Sequence, residues 1–141
     1  MITKVSLIKE LTLRLEHKVG ILEKVSALLA ERGINIEACA GYGMPGGATA
    51  EIRIVVDDTR RAFDALAASS LGSIVEKDVI AVEVENKPGA LRILSKAVAD
   101  KLININYLYV TANAGTAPVR IVFSTDDNER AFVALKKTMG F

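Results

Sequence analysis

Leu13-Arg14-Leu15-Glu16-His17-Lys18-Val19-Gly20-Ile21-Leu22 and Val82-Glu83-Val84-Glu85-Asn86-Lys87-Pro88-Gly89-Ala90-Leu91 are two versions of one segment, 69 residues apart. The offset holds without a gap from Leu13–Leu66 to Val82–Leu135, and 19 of the 54 paired positions are identical. Among them are Ile34-Asn35-Ile36 with Ile103-Asn104-Ile105, Asp57-Asp58 with Asp126-Asp127, and Arg61-Ala62-Phe63 with Arg130-Ala131-Phe132. Twice 69 is 138 in a chain of 141 residues, so a duplication accounts for nearly all of it. Two small units are expected, residues 9–77 and residues 78–141.

Each copy carries the same sequence of patterns. Leu11, Leu13 and Leu15 alternate with Glu10, Thr12, Arg14 and Glu16, and Ile80, Val82 and Val84 alternate with Ala81, Glu83 and Glu85: a half-buried strand in each. Ile21, Leu22, Val25, Leu28 and Leu29 then fall on one helical face, as do Ala90, Leu91, Leu94, Ala97 and Val98. Second strands are predicted over Ile34–Ala40 and Ile103–Val110, with turns at Gly41–Gly47 and Ala112–Ala117. Third strands follow at Ala50–Val56 and Val119–Thr125, and Asp57-Asp58 and Asp126-Asp127 offer caps for a further helix in each copy. The result is an α+β chain of two ferredoxin-like βαββαβ units, with antiparallel sheets covered by helices on one face.

The last strand differs between copies. Ser73–Glu76 supplies it in the first, whereas the second ends at Gly140-Phe141. The offset sets Lys4-Val5-Ser6 opposite Ser73-Ile74-Val75, so residues 3–8 are expected to close the second unit's sheet.

Composition narrows the function classes. Half of the chain is hydrophobic but only 5% is aromatic, so the core is aliphatic. Eighteen Lys+Arg against 17 Asp+Glu give +1, which argues against broad attraction to nucleic acid or an anionic membrane. A single Cys and a single His exclude an internal disulfide and a multi-histidine metal site, and fit a reducing cytoplasm. No apolar run reaches about 18 residues, and the amphipathic start lacks a signal-peptide core. No cofactor fingerprint and no nucleophile–base pair is visible, so an enzyme is not expected.

The candidate site is the turn from first strand to first helix. A helix N-terminus carries unpartnered amides and partial positive charge, and Gly20 or Gly89 removes the Cβ that would block approach. Such a turn can hold a carboxylate; alternatively Gly20, Gly89 and Pro88 merely shape the connection. Asn35 and Asn104, each bracketed by isoleucines, offer an amide to an amino acid's charged groups, or else cap the helix-to-strand turn. Cys39 reads as a small buried hydrophobe, Tyr107 and Tyr109 as sharing a sheet face with Ile105, and Arg60-Arg61 as a solvated face.

The repeated βαββαβ order, the turn Asn86-Lys87-Pro88-Gly89-Ala90-Leu91 and the later Ile103-Asn104-Ile105 resemble the ACT domain, a regulatory module of amino-acid metabolism. The first copy departs at His17 and Val19, where the second has Asn86 and Pro88. Two such units without a catalytic domain are similar to tandem ACT proteins labelled as acetolactate synthase regulatory-like. The resemblance implies an amino-acid effector bound between the strand–helix turn of one unit and its neighbour. By position it nominates His17, Lys18, Val19, Gly20, Ile21, Leu22 and Asn35, and in the second copy Asn86, Lys87, Pro88, Gly89, Ala90, Leu91 and Asn104. Open edge strands suggest a homodimer, and an amino-acid biosynthetic enzyme is a candidate partner. The competing readings are a small acylphosphatase-type enzyme using Arg14 and Asn35, and a purely structural regulatory subunit.

Overall fold

The computed structural model describes residues 1–111 and 117–140; the second copy's expected turn, apart from Ala117, lies outside them. Ten elements run β1 (Ile2–Glu16), α1 (Ile21–Glu31), β2 (Ile36–Gly43), β3 (Thr49–Val56), α2 (Thr59–Ala68), β4 (Gly72–Val84), α3 (Ala90–Ala99), β5 (Ile105–Thr111), β6 (Val119–Thr125) and α4 (Asn128–Thr138). The chain separates into two compact units: Lys9–Asp78, and Val79–Phe141 together with Met1–Ile8. We call them the first-copy and second-copy units.

In the first-copy unit the strand order is β2-β3-β1-β4, with β1 and β2 antiparallel to β3. Alternation on β1 and β3 sends Leu11, Leu13, Leu15, Ile52, Ile54 and Val56 to one face, where they bury against Val25 and Leu29 of α1 and Ala62 and Leu66 of α2. The second-copy unit has the order β1-β4-β6-β5, and Val82, Ile121 and Phe123 bury against Leu94 and Val98 of α3 and Leu135 of α4. Ile2 and Val5 join that second core. The Glu85 amide donates to the Met1 carbonyl at 3.2 Å, and Thr3 Oγ1 donates to the Glu83 carbonyl at 3.2 Å.

β1 and β4 each run unbroken through 15 and 13 residues, where short separate strands were expected. Neither Ile2–Glu16 nor Ser73–Val84 holds a Gly or Pro to interrupt the ladder. Gly72 starts β4 because a Cβ there would collide with the Arg14 carbonyl.

Three local readings need correction. β2 and β5 begin at Ile36 and Ile105, two residues later than the isoleucine pattern suggested. The register of β5 also slips between Ile105 and Tyr107. Ile105 pairs with Thr125, Leu108 with Phe123 and Val110 with Ile121, which puts these three on the helix-bearing face. Tyr107 and Tyr109, opposite Ser124 and Val122, therefore point to the other face rather than sharing that of Ile105. Arg61 and Arg130 are not simply solvated: Nη2 of each donates to a carbonyl just past the preceding helix, Arg32 at 2.6 Å and Lys101 at 3.0 Å. That clamp gives a physical reason for one identity in the repeat.

The two units differ on the sheet face away from the helices. In the first copy Arg53 Nη1 lies 3.3 Å from Glu10 and Nη2 lies 3.0 Å from Glu51, with Glu10 wholly buried. Thr12 accepts from Arg53 Nη1 at 3.1 Å and donates to Glu10 at 3.1 Å. The aligned second-copy residues Val79, Ala81 and Val122 are apolar and also buried. Among the described residues, no helix is long and apolar enough to cross a membrane.

Candidate functional site

Both nominated turns have the same backbone. Gly20 caps α1 at φ 86° and Gly89 caps α3 at φ 88°, in the left-handed region that a Cβ makes costly. The Ile21 amide donates back to the Lys18 carbonyl at 3.3 Å, and the Ala90 amide to the Lys87 carbonyl at 3.2 Å, so each turn closes on itself. Val19 is fully exposed, and Leu22 and Leu91 remain about half exposed on the first helical turns.

The two lysines are already engaged. Lys18 Nζ lies 3.7 Å from Glu16, and Lys87 Nζ lies 3.2 Å from Glu85. The Lys87 hydrogen bond and charge, helped by the nearby N-terminal ammonium, hold the Glu85 carboxyl below its ordinary value.

Asn35 and Asn104 do not join their own turns. Along β2 the pairing runs from Ile36 opposite Val56 to Gly43 opposite Ala50, while Leu15 also faces Ala50. Asn35 thus stands at the far end of the sheet from Gly20, about 20 Å along the strand. The cause is the crossover: β1 climbs, α1 descends, and β2 starts again at the bottom. Asn35 is tied there by its backbone, its amide donating to Asp57 Oδ1 at 3.0 Å and its carbonyl accepting from the Asp57 amide at 3.1 Å. The Asn104 carbonyl accepts from the Asp126 amide at 3.1 Å in the same way. Asp58 and Asp127 cap α2 and α4 by accepting from the amides of Arg61 and Arg130. Arg14, which packs near Glu51 at 3.7 Å, is likewise remote from Asn35, so this unit does not assemble the acylphosphatase pair.

What the first-copy turn does border is a cavity of about 300 Å³. His17, Ile21 and Leu22 form one side, Cys39, Gly41, Tyr42 and Gly43 of β2 the floor and edge, and Ala50 and Ile52 of β3 the inner wall. The His17 ring rests on Gly43: a Cβ at that position would come within 2.8 Å of Nε2. Cys39 is exposed on the strand rather than buried as expected, yet enough protein surrounds the thiol to push its pKa up, which leaves it a poor nucleophile. Of the nominated residues only His17, Ile21 and Leu22 line this space. Cys39, Gly41, Tyr42, Gly43, Ala50 and Ile52 were missed because Gly41–Gly43 read as part of a turn and Cys39, Ala50 and Ile52 as ordinary strand residues. Their signal lay in the repeat: where the first copy has Cys39 and Gly41, the second has Leu108 and Val110.

A family model described as an ACT domain pair matches residues 6–141. The chain belongs to the ACT domain pair family. Among solved structures, this ACT pair is similar to a Bacteroides thetaiotaomicron protein at 25% identity and TM-score 0.86, over 97% of this chain and 92% of that one. The ligand-free regulatory subunit of aspartate kinase from Thermus thermophilus shares the fold at 23% identity and TM-score 0.69, over 96% and 97% of the two chains. The corresponding Thermus flavus subunit does so at 20% identity and TM-score 0.64, over 98% of each. No curated protein matches the ACT pair.

Proposed function

We infer that this ACT pair is a non-catalytic regulatory module that binds a small effector, an amino acid, at the strand–helix turns and modulates an amino-acid biosynthetic enzyme. The observation that carries the reading is the cavity beside the Gly20 turn, where His17, Ile21 and Leu22 meet the floor of β2. Its size is at the small end of ligand pockets, about 300–1,000 Å³, which suits a molecule of few heavy atoms. The fold shared with regulatory subunits of aspartate kinase supports an effector and an enzyme partner.

The reading includes domain limits at residues 9–77 and 78–141 with residues 3–8 lent to the second, cytoplasmic residence, and a homodimer formed through open sheet edges. Ligand contacts are assigned to His17, Lys18, Val19, Gly20, Ile21, Leu22 and Asn35, and to Asn86, Lys87, Pro88, Gly89, Ala90, Leu91 and Asn104. The Asn pair reaches a ligand only if another unit's turn presents it, since each stands far from its own.

A thermal-shift panel of the standard amino acids tests the effector. A true effector at about 100 times its Kd stabilises by about 2.7 kcal/mol. Absence of any shift at millimolar concentrations contradicts the reading, and a sedimentation measurement giving only monomer removes the dimer.

A further inference from the structure

The two copies offer one experiment of nature within a single chain: the same backbone with a groove in one copy and larger side chains at the matching positions in the other. On the helix-bearing face Cys39 pairs with Ile54 and Gly41 with Ile52; Leu108 pairs with Phe123 and Val110 with Ile121 at the same offsets. The cavity in the first copy therefore exists over residues where the second carries two larger side chains. Gly41 has no backbone reason to be glycine. A Cβ added there would meet Ile52 Cγ1 at 3.8 Å and the Glu51 carbonyl at 3.9 Å, ordinary contacts, and its φ is not left-handed. No contact among the described residues requires glycine there, which leaves an occupant as the use of the vacancy.

The walls say what that is. Ile21, Leu22, Ala50 and Ile52 present carbon, and no Lys, Arg, Asp or Glu lines the space. His17, Cys39 and Tyr42 are the other side chains at its edge, so a charged side chain placed there would lose water without meeting an acidic, lysine or arginine partner. From this asymmetry we propose that the copies have divided their work: Gly41 makes the first copy the effector site and selects a branched aliphatic amino acid, while Leu108 and Val110, themselves 40% and 47% exposed, occupy the matching place in the second. This runs against the sequence motif, which the second copy follows more closely. It rests on the effector reading above and sharpens it by naming copy, side-chain class and selecting residue.

The test is titration calorimetry on the full chain with L-valine, L-leucine, L-alanine, L-lysine and L-aspartate. One equivalent of valine or leucine per chain is expected. Each buried methylene is worth about fourfold in affinity, so alanine should bind about fifteenfold more weakly than valine. Gly41→Val, whose Cβ makes only ordinary contacts and whose methyls extend toward the cavity, should weaken valine at least thirtyfold without lowering the melting temperature of the unliganded protein. Leu108→Cys with Val110→Gly should leave first-copy binding intact. A second measurement is alkylation of Cys39 by iodoacetamide, which valine should slow in the wild type and not in Gly41→Val. Two equivalents per chain, unchanged binding in Gly41→Val, or preference for lysine or aspartate overturns the assignment and leaves the effector reading standing. Failure of every amino acid to bind overturns both.

Discussion

β1 serves two cores, and a pair of substitutions eight residues apart on it should be felt in different places. Val5 is 3% exposed among Val82, Ile121 and Phe123, and Leu13 is 2% exposed among Leu29, Ile52 and Ile54. Val5→Ala removes two carbons worth about 0.8 kcal/mol each, and the residual cavity brings the loss to about 2 kcal/mol. Leu13→Ala removes three and sits within the range of roughly 2–5 kcal/mol seen for buried leucines; about 3 is expected. Native-state hydrogen exchange by NMR reads both. Val5→Ala should lower amide protection about thirtyfold in β6 and α3, and Leu13→Ala about a hundredfold or more in β3 and α1, with the other unit changing far less. Deletion of residues 1–8 should act like a severe form of Val5→Ala. Equal losses in both units from either substitution would refute the assignment of Met1–Ile8 to the second core.

Other outcomes follow from the differences between copies. Leu102 holds φ 59° with its side chain 94% exposed where the first copy has Gly33 at φ 69°, so Leu102→Gly should raise stability by about 1 kcal/mol in urea denaturation. Arg53→Val removes the guanidinium shared by the buried Glu10 and Glu51 carboxylates and should cost about 3–5 kcal/mol; adding Glu10→Val, as Val79 and Val122 stand in the second copy, should recover part of it. No recovery in the double variant would show that the loss of the Arg53–Glu10 pair is not what costs the stability. Burial lowers the Lys77 pKa, the first and largest cause, so the folded protein sheds that proton before the unfolded chain does. Stability should therefore gain a rising component as pH climbs toward the ordinary lysine value of 10.5, and Lys77→Met should remove it. Gly72→Ala should cost more than about 2 kcal/mol by denaturant midpoint, since the Arg14 carbonyl cannot yield without breaking the ladder.

Much of the fold was legible because two copies cross-check each other. Period-2 leucines and isoleucines marked the core faces of β1 and β3, and the repeated aspartates marked the starts of α2 and α4. The continuity of β1 and β4 was not, because a run without breakers does not announce how far it pairs. The bulge in β5 escaped as well: strict alternation assigns Tyr107 to the face of Ile105, and one slipped residue reverses it. At the site the turn was readable from glycine and helix-start chemistry. The neighbouring groove was not, since a cavity is made by side chains that are missing, and Gly41 looks like loop until β3 is seen beside it.

The interleaving of β1 also bears on how the chain is made. Residues 2–8 leave the ribosome well before their core partners Val82, Ile121 and Phe123, which come some 75 to 120 residues later. At about 5–20 residues per second, that segment waits several seconds as a hydrogen-bonding strand without its mate. Lys4 and Ser6 punctuate it with polar side chains, a feature that disfavours pairing of a waiting strand with another nascent chain.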